Sequence, residues 1–541
     1  MELDESIARR SIVSYVSPVY FVLFLPITLL LYQLTPKKFR WGVLLFSSLV
    51  FYVLISKWQF IFVLLTTLLI YLYGLGINYI DTRKNSSEDE SSENRRELKK
   101  HVLTKKKRFL KIVISLILLI LIVLKYTPFI SKNIQAIVSS LSFGVEIPIM
   151  KFIVPLGISF YSLQAVSYCV DIYRGVVQPE KNFLKLCLYL CFFPTIMQGP
   201  ITRYSDISPS LYAGDSITMS SFSGGLQRII WGFFKKIVIA DRLNALVSAI
   251  LDVNHSNFSG SVILFGALIY TIQLYMDFSG IVDICIGTSD IFNIKIPENF
   301  RQPFFAKTVT EFWKRWHMTL GAWLKDYVFY PVMLSRHIKS LTKKTRKKLG
   351  KNASLIITNT IALFVVWLCN GFWHGAGWNF VLYGIYYFTL ITLALIFEPV
   401  FKKIKKRLRL DKHTFSLRFL QTLKMSVIII FGELIFRVES IQKLIMMLKN
   451  VIFKFQLSDF VNGLNSVPAF KIIDIGVVFF ALIVVFVVNL LKEKGLDPFQ
   501  MVFTWPTWAR WSLTYTFILV IVIFGAYGNG YAPVDIIYAG F

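Results

Sequence analysis

Residues 354–398 read SLIITNTIALFVVWLCN, then GFWHGAGW, then NFVLYGIYYFTLITLALIFE. Two apolar runs, 354–370 and 375–398, flank a short break. Each is about long enough to cross a hydrocarbon core of about 30 Å as a helix. No water is available there for backbone groups, so only helices or closed barrels are stable. Runs this long and this uniformly apolar are helices rather than barrel strands. The break, Asn370-Gly371-Phe372-Trp373-His374-Gly375-Ala376-Gly377-Trp378, puts a histidine between glycines that let the chain bend and a partner approach closely.

The same pattern recurs outward in both directions. Apolar runs at 17–34, 41–56, 58–78, 109–126, 152–171, 222–248, 260–278, 415–436, 471–491 and 510–527 complete the candidate spans. The reading is an all-α integral membrane protein with about 11 transmembrane helices in one polytopic domain over 1–541. Two stretches are expected to be partial or re-entrant. Residues 183–203 are broken by Phe193-Pro194 and Gly199-Pro200, and 303–333 are aromatic and amphipathic. The first apolar run is followed by Thr35-Pro36-Lys37-Lys38 rather than a small-residue cleavage site, so it is expected to be retained.

Only 17% of the residues are charged, and the net charge is +28. The basic residues cluster in 336–351 (RHIKSLTKKTRKKLGK), 402–412 (KKIKKRLRLDK) and 95–108 (RRELKKHVLTKKKR), and after the first span. Placing all four groups in the cytoplasm gives one consistent topology with both termini outside, although Arg9 and Arg10 oppose it. The polar low-complexity stretch NSSEDESSEN makes 81–108 an expected flexible cytoplasmic loop. No basic patch is interleaved with stacking aromatics, so nucleic acid is excluded as a partner; the lipid bilayer takes that place. The five cysteines lie in apolar runs without a CxxC, and no HExxH, GxSxG or Walker loop occurs. The sequence therefore gives no reason to expect a metal.

Ionisable groups inside a bilayer are costly, and each is a candidate functional residue. Of six histidines, only His317 and His374 fall in aromatic, glycine-broken apolar surroundings. Imidazole can take and return a proton near neutrality. Either ring could instead be a hydrogen-bonded structural group. Around His317 run Glu311-Phe312-Trp313-Lys314-Arg315-Trp316, and Asp277 lies in Gln273-Leu274-Tyr275-Met276-Asp277-Phe278-Ser279-Gly280. Asp277 could orient a histidine, pair with Arg315, or cap a helix.

In this order the clusters resemble the membrane-bound O-acyltransferase family. The resemblance is to its bacterial branch, which comprises the alginate O-acetylation membrane protein and the D-alanyl-lipoteichoic acid transferases. It rests on Pro155-Leu156-Gly157, Asp171-Ile172-Tyr173-Arg174-Gly175, Gln198-Gly199-Pro200, Phe234-Lys235-Lys236 and Asp277-Phe278-Ser279-Gly280. Further along it rests on Pro297-Glu298-Asn299-Phe300, Phe312-Trp313-Lys314-Arg315-Trp316-His317, Trp373-His374-Gly375 and Phe436-Arg437. Tyr330-Pro331-Val332-Met333 departs from the Pro-Leu-Gly-Gly turn of the alginate subgroup.

The resemblance implies a ring of helices around a central tunnel, with His374 as catalytic base and His317 as its second characteristic histidine. A cytoplasmic acyl donor, acetyl-CoA or an acyl carrier thioester, would meet an acceptor hydroxyl of a polysaccharide or teichoic acid. An extracytoplasmic SGNH-type partner is implied as well. In this reading Asn370 or Asp277 assists the histidines, and Trp313, Trp316, Trp373 and Arg315 line the substrate path. Two rival functions stay open on sequence alone: a transporter or flippase, and a scaffold for a secreted enzyme.

Overall fold

In the computed structural model the described residues are 14–85, 92–142, 146–148, 152–253, 258–407, 414–527 and 531. Their regular structure is entirely helical. This follows from the apolar runs, because a helix satisfies every backbone N–H and C=O within its own segment. Among the described residues eight helical stretches are long and apolar enough to cross a membrane. One of them, Lys37–Thr82, is interrupted at Lys57, whose φ is 49°. It therefore contains two of the expected spans, as helices Arg40–Ser56 and Phe60–Asn85.

Three other expected spans take a different form. The first shortens to an apolar helical stretch over Tyr20–Leu34. The run at 152–171 becomes a helix only from Ile158, after Gly157 at φ 75°. Helix Met219–Phe233 continues through π-helical Phe234–Ala240 into Asp241–Ser248, and it buries Lys235, Lys236, Asp241 and Arg242. Hydropathy alone does not show that these charges are internal.

Of the two expected partial segments, Phe192–Gly199 is buried turn, and 303–333 divides into short helices. The expected loop 81–108 is instead helical at both ends. Phe60–Asn85 and Ser92–Ser140 run on beyond their apolar parts, Lys106 pairs with Asp81, and 86–91 lie outside the described residues. The basic stretch 336–351 is likewise helical, with one turn at Gly350 where φ is 82°.

The described chain forms two compact units. One holds the residues up to Leu226 with Cys285–Pro297; the other holds Gln227–Ile284 and the residues from Glu298 on. The second unit contains both candidate histidines. Its helices are the part of α1 (Gly260–Ile291) up to Ile284, α2 (Arg336–His374), α3 (Trp378–Arg407), α4 (Phe415–Arg437) and α5 (Ile472–Glu493).

Helices α2 and α3 approach unusually closely. A Cβ on Gly371 would sit 2.5 Å from the carbonyl oxygen of Phe380, and one on Gly384 would sit 2.4 Å from that of Trp367. Within lipid, where no hydrophobic effect drives helices together, such small-residue contacts supply the packing. They bring α3 against the last turns of α2, which carry Asn370 and His374.

This contact gives a first prediction. Gly371→Val and Gly384→Val each force the two helices apart, at a cost of about 1–3 kcal/mol for overpacking. Thermal unfolding in detergent is expected at a lower temperature for both variants. An unchanged unfolding temperature contradicts the close contact.

Candidate functional site

Asn370 and His374 stand one turn apart, on the same face of α2. Both are buried, at 3% exposure each. The His374 ring is enclosed by aromatic rings set nearly perpendicular to it: Trp373 at 5.0 Å between centroids, Phe436 at 5.2 Å and Tyr383 at 5.8 Å. Phe436 comes from α4 and Tyr383 from α3. The Asn379 amide donates to the Phe436 carbonyl at 2.9 Å, which fastens that end of α4 beside the histidine.

His317 reaches the same place from a different segment. It precedes the short helix Met318–Leu324 and adopts φ 45°, a left-handed conformation that a residue with a side chain takes at some cost. Asn299 holds it there. The Met318 N–H donates to the Asn299 carbonyl at 3.0 Å, while the Asn299 side-chain oxygen accepts from the Thr319 N–H at 3.1 Å and the Thr319 hydroxyl at 2.9 Å. That same oxygen lies 3.2 Å from His317 Nδ1. An amide oxygen is acceptor only, so Nδ1 carries the proton and Nε2 keeps its lone pair. Burial pushes the imidazole pKa down to about 3, so the ring is neutral.

The two histidines share a wall. The Trp373 indole lies 5.3 Å from the His317 ring and 5.0 Å from the His374 ring. Phe278 of α1 closes on His317 at 5.0 Å. Trp316 backs this cluster, stacked on Phe312 and edge-on to Phe300. Trp313 packs against Trp367, Tyr383 and Tyr387. Buried donors in this region that lack a hydrogen-bond partner include Trp313 Nε1, Asn370 Nδ2, Asn299 Nδ2 and the Tyr387 hydroxyl. Unmade bonds of this kind are costly in a dry interior, and functional sites are where they persist. Among the described residues no group of three His, Cys, Asp or Glu side chains gathers as a metal centre requires.

Asp277 and Arg315 are placed differently from the expectation. Asp277 is neither a helix cap nor a partner of Arg315 or of a histidine. It lies within α1, fully buried, 2.6 Å from Lys236, which also meets Asp241 at 2.7 Å. Six residues on, Asp283 receives Lys235 at 2.6 Å and Arg228 at 3.0 Å. These pairs lock α1 to the helix that carries the three bases. A Cβ on Gly232 would touch the Gly280 carbonyl at 2.5 Å. Asp277 thus serves the site indirectly, by fixing the helix whose next residue, Phe278, packs on His317. Arg315 pairs with Glu311 at 2.8 Å and with Glu493 of α5 at 2.6 Å.

Sequence reasoning passed over Asn299, Tyr383 and Glu433. Glu433 was detectable: it is the one acid in the apolar run 415–437. It is buried, and it accepts from the Tyr383 hydroxyl at 3.3 Å. Asn299 stood out only as part of Pro297-Glu298-Asn299-Phe300 and Tyr383 not at all, since their roles arise from long-range packing.

Residues 180–435 match the membrane-bound O-acyltransferase family, MBOAT, and this range includes both histidines, Asn299, Asn370 and Glu433. The chain is 31% identical to "Probable alginate O-acetylase AlgI" of Azotobacter vinelandii, over 79% of its own length and 75% of that protein. It is 32% identical to a peptidoglycan O-acetyltransferase of Helicobacter pylori over 48% of its length and 50% of that protein. To a teichoic acid D-alanyltransferase of Bacillus subtilis it is 30% identical, over 46% and 61%. The helical architecture, the paired histidines and these similarities converge: the chain belongs to the membrane-bound O-acyltransferase family and is a multi-pass membrane O-acyltransferase.

Proposed function

We propose that this enzyme moves an acetyl group from a cytoplasmic thioester donor to hydroxyls of a cell-surface polysaccharide, with His374 as general base. The observation that carries the reading is the buried aromatic enclosure in which His374 and His317 share Trp373 beside the amide of Asn370. The acceptor hydroxyl gives its proton to His374 as its oxygen attacks the thioester carbonyl. The tetrahedral adduct then collapses, the C–S bond breaks, and the proton passes from His374 to the departing sulfur. Ester and thiol form with no net proton released.

The neighbours divide the remaining work. Neutral His317, with its lone pair on Nε2, accepts a hydrogen bond from a neighbouring hydroxyl of the acceptor and so orients the one that reacts. That tautomer does not suit His317 to donate to an oxyanion. Asn370 Nδ2 and Trp313 Nε1 are the buried donors available for that task. Trp316 and Trp373 keep water from the thioester. Acetyl-CoA is the first candidate donor and an acyl carrier thioester the second. Acetyl transfer is favoured over D-alanyl transfer because the similarity to the alginate protein extends over more of both chains. Hand-over to a secreted SGNH-type transferase is part of the proposal.

A general base typically contributes about 10²–10⁴-fold. His374→Ala is expected to insert at the wild-type level and to reduce base-labile acetate on the envelope polymer by about that factor. Wild-type acetylation by inserted His374→Ala overturns the assignment.

Asn299 supplies a separate test. Asn299→Leu frees the His317 tautomer and is expected to lower turnover by about 10–100-fold, the usual effect of losing a group that orients a functional histidine. Asn299→Asp instead places a carboxylate beside Nδ1 and raises the depressed His317 pKa. Its activity is expected to fall as pH decreases, along a limb absent from the wild type, because the imidazolium has no lone pair at Nε2. Identical pH–rate profiles for the wild type and Asn299→Asp contradict this role.

A further inference from the structure

The acid at 433 is unexplained by helix packing alone. A carboxyl group in an apolar helix costs several kcal/mol unless it is paired or functional. Glutamine would accept the Tyr383 hydrogen bond without the cost of burying an acid. The nearby base, Arg437, is directed elsewhere: its Nε donates to Asp252 at 3.0 Å, and its guanidinium lies over the Tyr270 ring. The surrounding groups are tyrosines. Tyr386 of α3 donates to the Ile428 carbonyl at 2.9 Å, and the Tyr387 hydroxyl lies where a Cβ on Gly432 would be only 2.4 Å away.

Geometry connects Glu433 to His374 by two routes. Through space, the Tyr383 ring whose hydroxyl binds Glu433 stands at 84° to the His374 ring, 5.8 Å between centroids. Along α4, Phe436 follows Glu433 by three residues, shares its face, and packs on both His374 and Tyr383. The carboxyl therefore fastens the Tyr383 ring, and the helix that carries it supplies the Phe436 ring. An aromatic ring within about 6 Å also stabilises an adjacent cation. That is the charge His374 acquires when it takes a proton.

We propose that Glu433, acting through Tyr383, is a positioning residue for His374 that holds the imidazole in place and favours its protonated form during transfer. The inference rests on the reading of His374 as the base.

The test uses the full-length protein in proteoliposomes with acetyl-CoA as probe, reading thiol release alongside acetate transferred to envelope polymer. Glu433→Gln keeps an oxygen for the Tyr383 hydroxyl but removes the acid. It is expected to lower kcat by about tenfold or more, the lower range for perturbing a general base, with KM for acetyl-CoA and the unfolding temperature unchanged. Tyr383→Phe is expected to lower kcat similarly, and the double variant to lose no more than either single one. Wild-type kcat in Glu433→Gln, or a lowered unfolding temperature with kcat intact, overturns the proposal and leaves Glu433 as a helix fastener. His374→Ala, measured in parallel, separates the two readings. Activity retained there removes the base assignment itself, whereas an inactive His374→Ala beside a fully active Glu433→Gln removes this inference alone.

Discussion

One indole governs the arrangement of this protein's reactive groups. Trp373 stands between two imidazoles that come from segments 57 positions apart in the chain, and it touches both. Its position depends on the close approach of α2 and α3, which glycines at 371 and 384 permit. With larger residues at those points, the last turn of α2 would stand away from α3, and Tyr383 would no longer reach His374. The aromatic enclosure is thus a consequence of backbone contact in a medium where small residues decide helix packing.

The charges form a second layer around it. Lys236 meets Asp277 and Asp241 in one buried group, and Lys235 and Arg228 meet Asp283 in a second, from which Arg228 also reaches the more exposed Glu298. Removing one partner of such a pair would leave an uncompensated charge in the interior. The network fixes α1 and hence Phe278 against His317. Aromatic rings pack on both imidazoles, and the Asn299 amide meets His317. A buried aromatic enclosure suits the proposed base, which must be uncharged before reaction, and the proposed thioester donor, which must avoid water.

Much of this was legible in the sequence. The long spans announce themselves through hydropathy, and the helix break at residues 370–378 identified His374. The two histidines were separable from the other four because those lie in charged or polar stretches. The partners of Asp277 and Arg315 were not legible, since Lys236 lies 41 positions before Asp277 and Glu493 lies 178 positions after Arg315. Helix Met219–Ser248 also looked like an ordinary span, because nothing in its composition indicates that its lysines face acids. Asn299 acts through a left-handed residue that only the folded chain shows. Glu433 could have been found by applying to α4 the rule that singled out the histidines.

The central claim is that the acyl carbon is delivered to the enclosure shared by His374, His317 and Trp373. The most direct measurement is a structure of the enzyme with a non-hydrolysable acetyl thioester analogue. Its carbonyl oxygen is expected within hydrogen-bond reach of Asn370 Nδ2 or Trp313 Nε1, with space for a hydroxyl between the carbonyl carbon and the His374 ring at about 3–3.5 Å. An analogue bound with its carbonyl away from both histidines, in an enzyme that still transfers acetyl, would contradict it.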